Sequence, residues 1–425
     1  MRKLRKCILV ALLLVGGGAH AQGLTPDAAV SIALERNRDA IAARLDLKGA
    51  EVERLTAKLY PNPIVSYTMS NLVLGQANTQ SGATPHATFF DQTVHTVGVS
   101  EVIDIWAKRT TRMRAADRGI DRQRLLLEDA LREIAYAVRA AFSDVLREQS
   151  EHILAKETQA RYDETIRLTR ARRAAGDISE TELKKVELEG LRYQNAVIDA
   201  DMELDLARQK LASLLAMDPT QGLPAALVED TFSRGTLAAD QLVQRALELR
   251  PDVKAVRAEH ARADASVVQA RREAFPDISL GLSYTHSNFT ISGDNPNSLA
   301  LSLSLPLPVF DRNQGLIARA RLDILRADND AQKIELQVRH EVADAVRRAA
   351  RSAKLVQIFE GGMLERADTA LQVAEKSYKA GAVSLLELLE AQRTYLETRG
   401  SYLHALHDYR QANIDVIHAV GGEAN

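Results

Sequence analysis

VSLLELLEAQRTYLETRGSYLHALHDYRQANIDVIHAV, residues 383–420, is the stretch from which the rest of the chain can be read. It contains no proline, and Leu388, Tyr395, Tyr402, Tyr409 and Val416 recur in it every seven residues. Leu389, Leu396, Leu403 and Ile417 form a second such row, which Arg410 interrupts. Ala391, Thr398, Ala405, Ala412 and Ala419 form a third row, of small residues. A seven-residue apolar repeat keeps one helical face turned to a partner and favours a left-handed supercoil. The small row admits a second helix at close range from another side. At 1.5 Å per residue the helix would be roughly 57 Å long, more than a compact core needs. It reads as one stave of a long helical assembly.

Working back from it, Ala380-Gly381-x-x-Ser384 matches Ala175-Gly176-x-x-Ser179, and each glycine sits between two long helical patterns. The first pair spans about 108–175 and 178–217, with Leu131, Val138 and Val145 marking a seven-residue row. The second pair spans about 314–379 and 383–420. Further upstream, a shift of 213 positions lays Val30, Ala33, Leu34, Glu35, Asp39 and Ala42 on Val243, Ala246, Leu247, Glu248, Asp252 and Ala255. Leu59-Tyr60-Pro61 returns as Ala274-Phe275-Pro276. The chain is therefore a duplication. Each half runs helix, helix, strand, loop, strand, very long helix, tight turn, helix. The expected segments are a leader at 1–21, a first repeat at 22–233 and a second at 234–425.

The strands are expected at about 64–74, 93–105, 277–286 and 299–305. Val65, Tyr67, Met69 and Val73 alternate with Ser66, Thr68 and Ser70 in the first. Ile278, Leu280, Leu282 and Tyr284 alternate with Ser279, Gly281, Ser283 and Thr285, and Leu299, Leu301, Leu303 and Leu305 with Ala300, Ser302 and Ser304. Such segments suit a soluble sheet with one wet face. They equally suit membrane barrel strands of about 9–11 residues, apolar outward and polar inward.

Composition narrows the choice. The chain has 425 residues and a formal net charge of only −2, so no nucleic acid or other polyanion is implied as a partner. Arg2, Lys3, Arg5 and Lys6, an apolar run from Cys7 to Val15 and Ala19-His20-Ala21 have the form of a secretory signal. Its removal would take the charge to about −6. Cys7 is the sole cysteine, so the mature chain is expected to have no disulfide and no cysteine-borne lipid. An exported chain with long helices and four such strands points to the outer membrane. Four strands cannot close a barrel, and an open edge is not tolerated in lipid. Several chains would have to share one barrel, with the helices continuing it below.

The chain resembles outer-membrane efflux proteins of the TolC family. The likeness is carried by the duplicated layout, by Pro61-Asn62-Pro63 and by Tyr378-Lys-Ala-Gly381, Leu385-Leu-Glu-Leu-Leu-Glu-Ala-Gln392 and Tyr402. Leu305-Pro-Leu-Pro-Val-Phe-Asp-Arg-Asn-Gln-Gly315 is most similar to the CzcC-type branch, which serves heavy-metal efflux systems of the resistance-nodulation-division class. The resemblance implies a mainly α protein with a small β part. It implies a homotrimer with a 12-stranded barrel in outer-membrane lipid, continued by a periplasmic coiled-coil tunnel. A periplasmic adaptor would link the tunnel to an inner-membrane pump. The duct would pass cobalt, zinc or cadmium ions, or alternatively drugs, detergents or secreted proteins. From another class, a soluble periplasmic coiled-coil scaffold would also use these helices.

No catalytic motif stands in the sequence, and no cofactor is implied. In His340-Glu341, Asp344 occupies the place of a second zincin histidine. By resemblance, acidic residues at the positions of Glu387 and Glu390 form rings constricting the tunnel's periplasmic end. Ser384-x-x-Glu387 is also a capping box, repeated as Ser179-x-x-Glu182, so Glu387 is open to both roles. The family often has a basic residue where Val383 stands. Gly176 and Gly381 are expected in left-handed caps at the hairpin tips. With Asp177, Ser179 and Ser384 they would form the adaptor's docking surface, where Lys184, Lys185 and Lys379 add polar groups. Ser66, Ser279, Ser283 and Ser302 would line a wet barrel lumen. His404, His407 and His418 lack a neighbouring ligand set and are not expected to bind metal.

Overall fold

The computed structural model describes residues 24–72, 93–218, 239–288 and 295–422. The expected leader, the loop at 76–92, the connector at 219–233 and the end of the first strand beyond 72 lie outside the described residues. Thirteen elements follow the expected order, with one departure. They are α1 (Pro26–Arg36), α2 (Arg38–Lys58), β1 (Ile64–Ser70), β2 (Val94–Ile103), α3 (Lys108–Ala174), α4 (Glu180–Leu214), α5 (Ala239–Leu249), α6 (Pro251–Glu273), β3 (Ile278–Ser287), β4 (Asn297–Ser304), α7 (Gln314–Ile358), α8 (Leu364–Lys379) and α9 (Leu385–Val420).

The departure is in the second long helix, expected unbroken over 314–379. A π-helical turn, Phe359–Met363, divides it into α7 and α8. Within the turn Gly362 has φ +115° and Gly361 has ψ 16°. Two consecutive glycines permit a conformation that residues with a β-carbon resist. A single glycine pair in a long helical pattern does not by itself end a helix, so the sequence reads as helix through it.

The described chain forms two compact units, each drawing on both halves of the sequence. One comprises Met1–Asn37, Ile134–Gly235 and Arg351–Ile414. Its core mixes large side chains such as Phe142, Leu211, Leu371 and Tyr378 with many small ones. Thr398, Ala405 and Ala412 of α9 are buried, as are Val138, Val145, Thr158, Thr165 and Thr169 of α3. The seven-residue row of small residues is thus the inner face of α9, while Tyr395, Tyr402 and Tyr409 remain half-exposed. Threonines inside α3 satisfy their hydroxyls locally: Thr158, Thr165 and Thr169 each donate to the carbonyl four residues back. At Gly190 of α4 an added β-carbon would lie 2.5 Å from Ile166 Cδ1, so α3 and α4 approach closely there.

The other unit comprises Arg38–Glu133, Thr236–Ala350 and Asp415–Asn425. Leu242, Val243, Ala246 and Leu247 of α5 pack on Val253 of α6, Val338, Val342 and Ala345 of α7, and Ala419 and Val420 of α9. Its sheet is antiparallel in the order β1-β2-β3-β4. One register row runs Val65, Val99, Leu282, Leu301 and the next Tyr67, Val97, Tyr284, Leu299.

Duplicated helix pairs cap the return helices. Asn37, between α1 and α2, donates from Nδ2 to Leu214 O at the end of α4, 2.9 Å away. A shift of 213 brings Arg250 to the same place between α5 and α6, and its Nη1 donates to Ala419 O near the end of α9, 3.2 Å away. Arg250 is 3% exposed and grips Asp252 with Nε and Nη2 at 3.0 and 2.6 Å, while Nη1 meets Glu341 at 2.6 Å. Burial pushes the Asp252 carboxyl up, but the Arg250 contacts outweigh it and hold the acid below its ordinary value. Removing one partner of such a set leaves buried charge unpaired. Arg250→Ala is expected to destabilise the protein by about 3–5 kcal/mol. Asn37→Ala, which removes a neutral hydrogen bond, should cost only about 1–2 kcal/mol. Thermal unfolding followed by circular dichroism in mild detergent checks the order.

Candidate channel-forming surfaces

The first surface is the sheet. Its apolar side chains stay in the open: Val65, Tyr67, Leu299, Leu301 and Leu303 are each more than 60% exposed. The opposite face carries mainly small and hydroxyl residues, with Ile64, Val94 and Val102 among them, while the carboxylate of Glu101, paired with Leu280, stands on the apolar face. Ser66, Gly98, Ser283 and Ala300 form one row across it, and Ser100, Gly281 and Ser302 fall in another. The four expected lumen serines therefore share this face, with Ser279 opposite Ser304. This side is crowded: a β-carbon on Gly98 would come within 2.9 Å of Ser66 Oγ, and one on Gly281 within 2.5 Å of Ser302 Oγ. Among the described residues, β1 and β4 each have a sheet neighbour on one side only.

At one end of the apolar face, aromatic and polar groups replace aliphatic ones. His95 pairs across the strands with His286, and His286 with Asn297. Tyr67 Oη and His95 Nδ1 are 2.8 Å apart, Tyr284 Oη donates to Asn297 Oδ1 at 2.5 Å, and His286 Nδ1 lies 2.8 Å from the same oxygen. At the other end Trp106, between β2 and α3, stacks on Phe275 at 4.7 Å and donates to Pro276 O at 2.9 Å. Rings whose polar tips find partners flank the apolar band on both sides.

The second surface is the pair of hairpin tips. Gly176 and Gly381 have φ of +87° and +76°. Asp177 N donates to Arg172 O at 3.0 Å and Ala382 N to Ser377 O at 2.8 Å, so both long helices end in the same left-handed cap. Both capping boxes are present. Ser179 Oγ accepts from Glu182 N at 3.2 Å, and Glu182 Oε2 accepts from Ser179 N at 2.9 Å. The Ser179 N–H holds the Glu182 carboxyl below its ordinary value. In α9, Ser384 Oγ accepts from Glu387 N at 3.3 Å, and Glu387 Oε2 accepts from Ser384 N at 3.0 Å. Glu387 thus caps its own helix. Glu387 and Glu390 are both exposed, as is Leu386.

Sequence reading missed the groups that bind one hairpin to the other here. Tyr378 is 1% exposed and packs with Val186, Leu385 and Leu388. Its hydroxyl lies 3.3 Å from Thr169 Oγ1, and Arg172 donates to its carbonyl at 3.3 Å while covering its ring at 4.9 Å. Gln392 donates to Thr165 Oγ1 at 3.1 Å, and Arg161 of α3 meets Glu375 of α8 at 3.2 Å. Arg161 and Arg172 lie on α3, where periodicity marks them only as ordinary helix charges.

The three histidines each face α3. His418 Nε2 lies 2.9 Å from Glu133, His407 3.7 Å from Asp144, and His404 3.9 Å from Glu151. Burial pushes the His407 imidazole below its ordinary value. Among the described residues no group of three or more metal-ligating side chains converges. No described helix is long and apolar enough to cross a membrane.

Comparison with known proteins agrees with this division between a small sheet and long helices. The chain is 27% identical to the cobalt-zinc-cadmium resistance protein CzcC of Cupriavidus metallidurans over 398 residues, covering 94% of this chain and 90% of that protein. It is 24% identical to the pyoverdine export outer membrane protein OpmQ of Pseudomonas putida over 409 residues, covering 93% and 85%. The crystal structure of CusC, a protein that forms a transmembrane channel, superposes with a TM-score of 0.76 at 20% identity, covering 94% and 92%. The sequence pattern of outer membrane efflux proteins matches residues 29–217 and 242–422, one stretch in each repeat. The chain belongs to the outer membrane efflux protein family.

Proposed function

We propose that three copies of this chain form an exit duct that conducts divalent heavy-metal cations out of the cell. The observation that carries the reading is the sheet. Most of its bulky apolar side chains are exposed on one face, most of its small hydroxyl residues lie opposite, and among the described residues its two outer strands each lack one neighbour. In lipid, exposed apolar side chains are at no disadvantage, whereas an open strand edge is costly. Three such sheets, joined edge to edge, close a 12-stranded barrel with Ser66, Ser279, Ser283 and Ser302 toward water. Exposed Leu188, Leu191, Ile198 and Met202 on α4 and Leu316, Leu322, Leu325 and Leu336 on α7 supply faces for neighbouring copies. Membership of an outer-membrane family disfavours the soluble scaffold.

At the hairpin tips, symmetry would gather Glu387 and Glu390 into acidic rings that draw cations and repel one another. Capping does not remove Glu387 from that role, because its side chain stays exposed while it caps. Arg161–Glu375 and Arg172–Tyr378 would hold the two hairpins together while the duct is narrow. Gly176, Asp177, Ser179, Gly381 and Ser384 form the docking surface for a periplasmic adaptor, which connects the duct to an inner-membrane resistance-nodulation-division pump. The metal cargo is supported by the likeness to CzcC over nearly the whole chain and by the acidic tips. The likeness to OpmQ favours a second reading, in which the same duct exports an organic molecule.

A deletion strain is expected to lose tolerance to zinc, cobalt or cadmium and to regain it with the wild-type chain. Sensitivity confined to drugs or detergents would sink the metal cargo and keep the duct. In planar bilayers, Glu387→Gln combined with Glu390→Gln should lower cation-over-anion selectivity several-fold; unchanged selectivity would remove both residues from the conduction path. Glu375→Gln should raise the mean conductance by loosening the hairpins, and an unchanged conductance would show that this pair does not restrain them.

A further inference from the structure

The duplication gives one contact twice in sequence but only once within the chain. Trp106 follows β2 and Phe275 precedes β3. They stack three positions beyond the last β2–β3 pair, Ile103 with Ile278, in direct continuation of that register. Their counterparts in the repeat are Phe310, which follows β4, and Tyr60, which precedes β1. Leu59-Tyr60-Pro61 corresponds to Ala274-Phe275-Pro276, and Val309-Phe310 to Ile105-Trp106. Strands β1 and β4 lie at opposite edges of the sheet. Phe310 is 91% exposed and Tyr60 is 62% exposed.

We propose that Phe310 of one copy stacks on Tyr60 of the next, reproducing between subunits the Trp106–Phe275 contact made within each chain. This rests on the trimeric duct proposed above and goes further by naming the residues that lock its edges in register. Opposing Phe310 to Tyr60 and continuing antiparallel into the strands places Leu303 opposite Tyr67 and Ser302 opposite Thr68. Apolar then meets apolar and hydroxyl meets hydroxyl, whereas a slip of one residue would turn one strand's side chains to the wrong face. Tyr60 is already positioned: Arg109 covers its ring at 4.3 Å and donates to Lys58 O at 3.1 Å. The other side of the ring is left for Phe310. Offset aromatic pairs contribute beyond the area they bury.

The two contacts differ in their charges. Within the chain, Lys108 beside Trp106 meets Asp277 at 2.7 Å and Glu273 at 3.9 Å. In the repeat Asn62 and Lys58 stand in place of those acids. The contact between copies therefore relies on the rings and on Leu307 and Val309, which are also exposed beside Phe310.

The test is disulfide trapping in the full-length protein carrying Cys7→Ser. Tyr60→Cys with Phe310→Cys is expected to yield disulfide-linked dimers and trimers in oxidised outer membranes, lost on reduction and not formed by either single variant. Trp106→Cys with Phe275→Cys is the control and should close within one chain, without a higher-mass band. The mass of the wild-type particle in mild detergent reports separately on assembly. A trimeric particle whose control pair closes while positions 60 and 310 stay unlinked overturns the inference and leaves the duct standing. A monomeric particle overturns both. Phe310→Ala, which needs no disulfide, should lower the temperature at which the trimer dissociates while leaving the helical circular dichroism signal unchanged. An unchanged dissociation temperature would count against the stack.

Discussion

A strand edge that has no neighbour must find one wherever water is scarce, and the four-stranded sheet has two such edges. Much else in the sheet is consistent with that constraint. Bulky side chains stand on one face, where a globular protein would have buried them. Mainly serines, threonines and glycines stand on the other, packed so tightly that Gly98 and Gly281 leave little room for a β-carbon. The result is a sheet whose bulkier apolar face stays exposed.

The helical part solves a different problem by related means. Long helices gain little from propensity alone and take their stability from a packed face. On α9 that face is largely alanine and threonine, and in α3 the buried threonine hydroxyls bond back to their own helix. Tyr395, Tyr402 and Tyr409 of the neighbouring row are left half-exposed, whereas Leu388 is buried. Duplication supplies both halves with the same plan, and the differences between halves mark where they have diverged. Asn37 and Arg250 cap equivalent helix ends, one as a neutral donor and the other as the centre of a buried ionic group. The glycine pair breaks the second long helix, while α3 runs through the corresponding region without interruption.

At the hairpin tips, chemistry and architecture share residues. Tyr378, Thr169, Arg172, Gln392 and Thr165 tie α3 to the second hairpin through buried polar contacts. Glu387 closes a capping box and still presents its carboxylate at the surface. Each tip is thus fixed within its own hairpin by caps and tied to the other by named side-chain contacts.

Most of the fold was legible in residues 383–420 and their echoes, because period seven, period two and the punctuation of glycine and proline are local properties of a chain. The hairpin tips, the capping boxes and the alternation of Ser66, Ser279, Ser283 and Ser302 with apolar neighbours follow from them directly. Three features needed the tertiary structure. The π-helical turn at Gly361-Gly362 lies inside a long proline-free helical pattern, and glycines alone do not say whether a helix breaks. The choice of the alanine–threonine row as the inner face of α9 depends on which helices lie beside it. The contacts of Arg161, Arg172 and Arg250 join positions tens to hundreds of residues apart, and a charge acquires its partner only when folding brings distant segments together.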